Sequence, residues 1–254
     1  MSKIIEIHKD NLPQEHVCCA IGSDPANRAR AAGKKAWMDR RFDEGLVFKR
    51  LDERGKVFIE YMPMETTWKP VDGANFLMIH CLWVSGRFKG QGWASALLEE
   101  CLADARSRGK DGVAYVSSRK TEHYLTDKRF FLRKGFETVD EAEPFFELLA
   151  LKFRPEAPNP AFRDHCRSGR SPHDEGFHFV YSNQCPFMDE YVGLMAGIAR
   201  DRGYPATVRK LESAEQAKAE SSPFGTLGIY FEGRFLTHAP MTAKKFEKLL
   251  ATLG

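Results

Sequence analysis

The sequence predicts an α/β protein in two parts, a mixed sheet covered by helices followed by a smaller α/β domain. Three observations predict it. The apolar run Phe76-Leu77-Met78-Ile79-His80-Cys81-Leu82-Trp83-Val84 is too continuous for a half-exposed strand, and it leads through Arg87-Phe88-Lys89-Gly90-Gln91-Gly92 into a helical pattern. Two strand-like runs, Gly45 to Leu51 and Lys56 to Met62, flank Asp52-Glu53-Arg54-Gly55, a hairpin signal in which Gly55 is expected to supply a positive backbone angle. Composition shifts once, at Arg154-Pro155-Glu156-Ala157-Pro158-Asn159-Pro160, where the density of prolines suits neither strand nor helix and reads as a stiff linker. The expected division is therefore a first domain over 1–154, a Pro-rich linker over 155–175 and a second domain over 176–254.

The elements run in this order. A strand near 3–8 precedes helical patterns over about 13–21 and 25–42, then comes the hairpin. Behind the glycine loop, Ala94, Leu97, Leu98, Cys101, Leu102 and Ala105 recur at helical spacing up to about Gly109. A strand Gly112 to Ser117, a helical turn around Phe130-Phe131-Leu132 ending in Gly135-Phe136, and strands over 135–139 and 144–153 close the first domain. After the linker, Phe177 to Tyr181 reads as a strand, and Val192, Met195, Ala196 and Ala199 mark one face of a helix reaching about Arg202. A strand over 206–211, a short helix over 213–220, a hairpin turning at Glu232-Gly233 and a helix over 242–253 complete the chain.

Composition excludes several functions. With 254 residues, 43% of them hydrophobic, the chain can bury full cores. Lys+Arg 38 against Asp+Glu 35 gives a net charge of +3 spread along the sequence, so no nucleic-acid footprint is expected. No apolar run approaches a membrane span, and Met1-Ser2-Lys3 opens directly into Ile4-Ile5 without a leader-like apolar region; a cytoplasmic protein that binds no membrane is expected. The six cysteines form no C-x-x-C pair, so neither a metal site nor a dithiol is expected.

The glycine loop is the chemical signal. Gly90 and Gly92 can take backbone angles closed to other residues, so successive amides can gather around an anion at the positive end of a helix. The Walker spacing is absent, and the dinucleotide fingerprint is only half met, because Ser95 stands at its third glycine. R-F-K-G-Q-G resembles the R/Q-x-x-G-x-G/A motif of the GNAT superfamily of N-acetyltransferases and matches every fixed position. The flanking strand, helix and Gly-Phe pair resemble the same family over about residues 3–153.

That resemblance implies a GNAT-like acyltransferase domain using acetyl-CoA as cosubstrate. It implies that Leu82, Trp83 and Val84 hold the pantetheine arm by their main chain, on a strand that splays from its neighbour. Arg87, Phe88, Lys89, Gly90, Gln91, Gly92, Trp93 and Ala94 would surround the pyrophosphate, with Phe131 packing on the pantetheine. Two family groups are missing. No acid stands early on the strand before the loop, and the tyrosine often found four residues before the Gly-Phe pair is Phe131. Acetyl transfer still needs a proton acceptor and a stabilised leaving group. Glu60 interrupts an apolar strand, where partial burial would raise its pKa toward neutrality; it could equally face solvent from an edge strand. Glu65 lies in a candidate substrate loop, and His80 is a catalytic candidate or a core histidine. Tyr124 and Ser118 are candidate replacements for the missing tyrosine. Trp37, Tyr61, Trp68 and Trp93 are mostly core, with an acceptor pocket as the alternative.

In the second domain, strand, Cys185-Pro186-Phe187 and helix resemble the thioredoxin fold, which would put Cys185 at a helix N-terminus where a thiolate is favoured. Met188 replaces the resolving cysteine, and Pro223 lies too far from the hairpin for the usual cis-proline. An acetyltransferase domain followed by a thioredoxin-like domain resembles the YoaP-like bacterial acetyltransferases. The expected activity is transfer of an acetyl group to a primary amine of a small molecule or protein by direct attack in a ternary complex, with a homodimer allowed. The alternative is a non-catalytic CoA-binding sensor or adaptor whose thioredoxin-like domain binds a partner.

Overall fold

The computed structural model describes residues 3–253. It divides into two compact units: the first takes the chain up to residue 67 with 71–141 and 145–161, and the second takes 68–70, 142–144 and everything from 162 on.

In the first unit, β1 (Ile4–Ile7) is followed by α1 (Pro25–Phe42), β2 (Val47–Leu51), β3 (Val57–Pro63), the short β4 (Val71–Asp72) and β5 (Phe76–Val84). Then come α2 (Trp93–Ser107), β6 (Gly112–Ser118), α3 (Lys128–Leu132), β7 (Glu137–Ala142), β8 (Phe146–Lys152) and β9 (Ala161–Phe162). Seven strands form one sheet in the order β1-β2-β3-β5-β6-β8-β7. β2 and β3 make the expected antiparallel hairpin, whereas β5 and β6 run parallel and need the crossover that α2 provides. Asp24 starts α1 by accepting the Asn27 N–H ahead of Pro25.

Alternation along β3 assigns its two faces. Ile59 and Tyr61 join Leu77, Ile79 and Leu82 of β5 in a core closed by Leu97, Leu98, Cys101 and Leu102 of α2, with Phe131 and Phe136 beside them. Glu60, between Ile59 and Tyr61, points to the opposite face and meets Lys34 of α1. Tyr61, Trp37 and Trp68 are all buried, and Trp93 is only partly so.

Two features of β5 shape the end of the strand that leads to the glycine loop. Its register against β3 jumps from Glu60↔Cys81 to Tyr61↔Ile79, which leaves His80 as a bulge residue. Its parallel pairing with β6 covers only Phe76–Ile79 against Gly112–Tyr115, and beyond that the two strands part.

Three expectations are corrected. The stretch 13–21 is not helical. A helix of that length is marginal by itself, and here the segment is held in irregular form: His16 Nε2 donates to Gly55 O at 2.9 Å, Lys35 Nζ donates to Pro13 O at 2.7 Å, and Glu15 pairs with Arg50. Gly55 is absent from the residues with positive φ; it is needed for space, since a Cβ there would stand 2.3 Å from the Phe88 ring. Glu60 does not lie on an edge strand, because β3 is flanked by β2 and β5. From the proline-rich stretch onward the chain forms β9 and a turn at Asp164–Cys166, with Ala157 and Cys166 buried.

The second unit contains β10 (Phe177–Tyr181), α4 (Met188–Asp201), β11 (Ala206–Lys210), α5 (Ala214–Lys218), β12 (Leu227–Phe231), β13 (Arg234–Thr237) and α6 (Ala243–Leu250). Its sheet runs β11-β10-β12-β13, parallel between β10 and β11 and antiparallel elsewhere. Phe177 and Phe179 of β10 meet Phe246 of α6 in its core.

The parallel pair depends on Gly112, where an added Cβ would lie 2.2 Å from the main-chain oxygen of Leu151 and 2.6 Å from Phe76. A backbone oxygen inside a sheet cannot step aside. Gly112→Ala is expected to cost about 1–3 kcal/mol, read as a lowered thermal midpoint in a denaturation scan.

Candidate active site

The glycine loop leaves the end of β5 as a short 3₁₀ turn over Gly86–Phe88 and enters α2 through Gly92, which has φ 84° and acts as its N-cap without side-chain capping. Gly90 also has a positive φ, 76°. A Cβ added at either position would meet no atom within 4 Å beyond its chain neighbours, so the space before the helix is open as well as glycine-dependent. α2 is 15 residues long, and its uncapped first-turn amides and dipole favour an anion there.

The loop side chains have different tasks. Phe88 is buried in the first unit's core against Gly55 and anchors the loop rather than facing a ligand. Arg87 pairs with Glu53 at 2.9 Å with its side chain 71% exposed, so the ion pair is weak and the guanidinium can turn to a phosphate. Gln91 Nε2 donates to Arg87 O at 2.6 Å and tightens the turn, and Trp93 Nε1 donates to Gln91 Oε1 at 3.3 Å. Lys89 is exposed, and Ala94 is partly so.

Where β5 and β6 part, Thr126 crosses the fork. Its hydroxyl donates to Leu82 O at 3.0 Å, its N–H donates to the Tyr115 hydroxyl at 2.8 Å, and its carbonyl accepts the Ser117 hydroxyl at 3.1 Å. Leu82 is buried, while Trp83 and Val84 are partly exposed. Phe131 is fully buried and stacks on Tyr115 at 4.4 Å, so it shapes the wall of the fork from behind. No sequence motif singles out Tyr115 or Thr126; the one trace is a tyrosine in the otherwise apolar first half of a buried strand. Beyond β6 a cleft of about 250 Å3 is lined by Ser118, Arg119, Lys120, Thr121, Asp127, Lys128 and Arg129.

The acid–base candidates separate. Glu60 is 1% exposed and ion-paired to Lys34, and its Oε1 lies 3.8 Å from His80 Nδ1. Burial pushes its carboxyl upward, but Lys34 and His80 more than offset this, so its pKa lies below the ordinary value instead of rising toward neutrality. His80 Nε2 lies 2.9 Å from the Thr67 hydroxyl. Glu65 accepts the Asn75 N–H at 3.0 Å, just before the start of β5. The glycine loop is at the other end of that nine-residue strand, about 26 Å away at the usual rise per residue. Glu65 is thus a turn residue at the end of β5 remote from the glycine loop. Tyr124 is 46% exposed with φ 65°. Ser118 is buried and donates to Lys120 O at 2.5 Å.

The family model for the acetyltransferase (GNAT) family matches residues 6–136, which carry the whole of this geometry. The chain belongs to the GNAT acetyltransferase family. As a GNAT protein it is an acetyl-CoA-dependent acetyltransferase. The YoaP-like family model matches residues 205–248. A relative from Bacillus subtilis (strain 168), described as an uncharacterized N-acetyltransferase YoaP, is 43% identical over 250 residues, covering 98% of this chain and 99% of the relative. Similar solved structures include a GNAT-family acetyltransferase of Desulfovibrio desulfuricans, 17% identical with a TM-score of 0.45, covering 60% of this chain and 99% of that one. Another is a GNAT-family acetyltransferase of Brucella melitensis in complex with acetyl-CoA, 18% identical with a TM-score of 0.39, covering 65% of this chain and 97% of that one.

Beyond the GNAT unit, Cys185 does not start a helix. β10 ends at Tyr181, α4 begins at Met188 with Phe187 as its N-cap, and the Met188 N–H reaches back to Cys185 O at 3.4 Å. The turn is held by the buried Thr226 hydroxyl donating to Gln184 Oε1 at 3.1 Å. Cys185 is partly exposed, as are Cys19 and Cys81, whereas Cys18, Cys101 and Cys166 are buried. No helix among the described residues is long and apolar enough to cross a membrane.

These environments have measurable outcomes. Lys34→Met strands the Glu60 carboxylate in the interior and is expected to cost about 3–5 kcal/mol, far more than the double replacement Lys34→Met with Glu60→Met; urea unfolding of both variants measures the difference. Because Glu60's folded pKa is depressed, its contribution is complete above the ordinary value of 4.5 and lost as pH falls through the lower folded value, so the stability gap between wild type and Glu60→Gln should close in acid. In a brief alkylation pulse on the native protein, read by mass spectrometry, Cys185 should label ahead of Cys166, Cys101 and Cys18. For Cys101 and Cys18, burial also holds the thiol above its usual pKa.

Proposed function

We propose that this enzyme moves the acetyl group of acetyl-CoA to a primary amine of a small molecule or protein by direct attack in a ternary complex. The observation that carries it is the alignment of two open binding edges: the space before α2 at Gly90 and Gly92, continuous with the edge of β5 that β6 leaves unpaired after Ile79. The pyrophosphate is assigned to the main chain of Lys89, Gly90, Gln91, Gly92, Trp93 and Ala94, with Arg87 and Lys89 supplying charge. The pantetheine is assigned to the main chain of Trp83 and Val84, with the thioester near Leu82 and the wall of Phe88 and Phe131 behind it.

In the reaction the amine nitrogen forms a bond to the acetyl carbon as the carbon–sulfur bond breaks, and the sulfur leaves with its electron pair. The amine proton passes to water. We assign Glu60 a positioning task, holding Lys34 and His80 behind the bulge of β5, because its buried, ion-paired carboxylate suits a fixed charge better than a proton acceptor. The second unit we read as a thioredoxin-like module. Its parallel β10–β11 pair, antiparallel hairpin and flanking helices support that reading, and Cys185 is offered as its contact residue for an acceptor or partner. Six cysteines without a disulfide among them fit a cytoplasmic setting.

Calorimetry with acetyl-CoA tests the binding edges, and Gly92→Val is expected to weaken binding at least tenfold and also to lower the thermal midpoint, because valine both resists φ 84° and fills the anion's space. Equal affinity in the variant would overturn the assignment of the loop. In an amine panel followed by free-thiol release, Glu60→Gln should lower turnover yet keep the shape of the pH–rate profile; loss of its acidic limb would instead make Glu60 the base.

A further inference from the structure

Expelling a thiolate inside a protein calls for a hydrogen-bond donor at the sulfur. Among the side chains named as candidates from sequence, Phe131 has no hydroxyl, Ser118 already donates to Lys120 O, and Tyr124 stands exposed on its loop. A different phenol stands at the fork. Tyr115 lies opposite Ile79, the last residue at which β5 and β6 still pair, so its side chain rises where the strands separate. Its ring is 3% exposed and stacks on Phe131 at 4.4 Å with planes 24° apart. Its hydroxyl accepts the Thr126 N–H at 2.8 Å, and the Thr126 hydroxyl continues to Leu82 O at 3.0 Å. The phenol oxygen is therefore one side chain away from the edge assigned to the thioester.

We propose that Tyr115, oriented by Thr126, is the catalytic hydrogen-bond donor to the departing sulfur of CoA, taking from β6 the place that Phe131 on α3 cannot fill. The inference rests on the acetyl-CoA site proposed above. The Thr126 N–H donates to the phenol oxygen and the Thr126 side chain also bonds the phenol, so rotation about the phenolic C–O bond away from the Thr126 side chain is what turns its single proton toward the sulfur. As the carbon–sulfur bond breaks, the sulfur keeps the electron pair and is stabilised by the O–H donor without taking the proton. The product thiolate is protonated by water on release. Burial pushes the phenol up to about 12, which keeps it protonated and donating at neutral pH. Thr126 acts through Tyr115 and is a positioning residue.

The test uses the full chain with CoA itself, so no acceptor is needed. The ultraviolet absorbance of the thiolate is titrated with pH for CoA bound to wild type, to Tyr115→Phe and to the double variant Tyr115→Phe with Phe131→Tyr. A donor at the sulfur lowers the bound thiol's pKa below that of free CoA by on the order of one unit. Tyr115→Phe should abolish that shift with CoA affinity kept within a few-fold, and the double variant should restore part of it. Tyr115→3-fluorotyrosine keeps the packing and makes the phenol a stronger donor, so it should move the bound thiol further down even where Tyr115→Phe fails to fold. Bound CoA with the same thiol pKa in wild type, Tyr115→Phe and the fluorinated variant would overturn this inference alone. Failure of CoA to bind wild type at all would overturn the acetyl-CoA site and this inference with it.

Discussion

The parting of β5 from β6 after Ile79 is the constraint on which the rest of the first unit depends. Main-chain groups inside a protein must be paired, and a parallel sheet usually pairs them along the whole strand. Here pairing stops midway while β5 runs on to Val84, held on its other edge by β3. The bulge at His80 supplies the local change of direction, and Thr126 bridges the fork at Leu82 O. What is left along β5 is a row of main-chain groups leading to the glycine loop, and a ligand with amide groups of its own can complete the sheet.

A site made of backbone is only as well placed as the elements beneath it. Phe88 ties the glycine loop into the core through contact with Gly55 at the β2–β3 turn, and Arg87 reaches Glu53 of the same turn. On the other face, Lys34 of α1 holds Glu60 of β3 beside His80, so a buried charge pair lies behind the bulge. Such a pair adds little stability over well-packed apolar side chains, yet it is costly to break. Its contacts join β3, β5 and α1 where the strand is least regular.

Much of this was legible in the sequence because it rests on local rules. The apolar run of β5, the helical spacing of Leu97, Leu98, Cys101 and Leu102 in α2, the helix beginning at Pro25 and the succession of elements along the second unit all express periodicities and end signals carried by neighbouring residues. The positive φ of Gly90 and Gly92 was legible for the same reason, since it is a property of a single residue. Local rules failed where distant groups compete. The stretch 13–21 lost its helix to bonds with Arg50, Lys35 and Gly55. Gly55 proved necessary for the Phe88 ring and not for its own backbone angle.

The sequence by itself determined the fold class, the two-part organisation, the family and the glycine loop to which the CoA phosphates are assigned, because hydrophobic period, turn chemistry and backbone freedom are written into short segments. Tertiary structure alone decided which ionisable groups have what task. A carboxylate's pKa depends on which cation folds against it, and Lys34 reaches Glu60 from another element. A tyrosine's chemistry depends on where its hydroxyl emerges, and Tyr115 meets Thr126 and Phe131 only because β6 ends its pairing with β5 at that residue. Charge and hydrogen bonding act through space, and the distances that govern them are set by the packing of segments far apart in the chain.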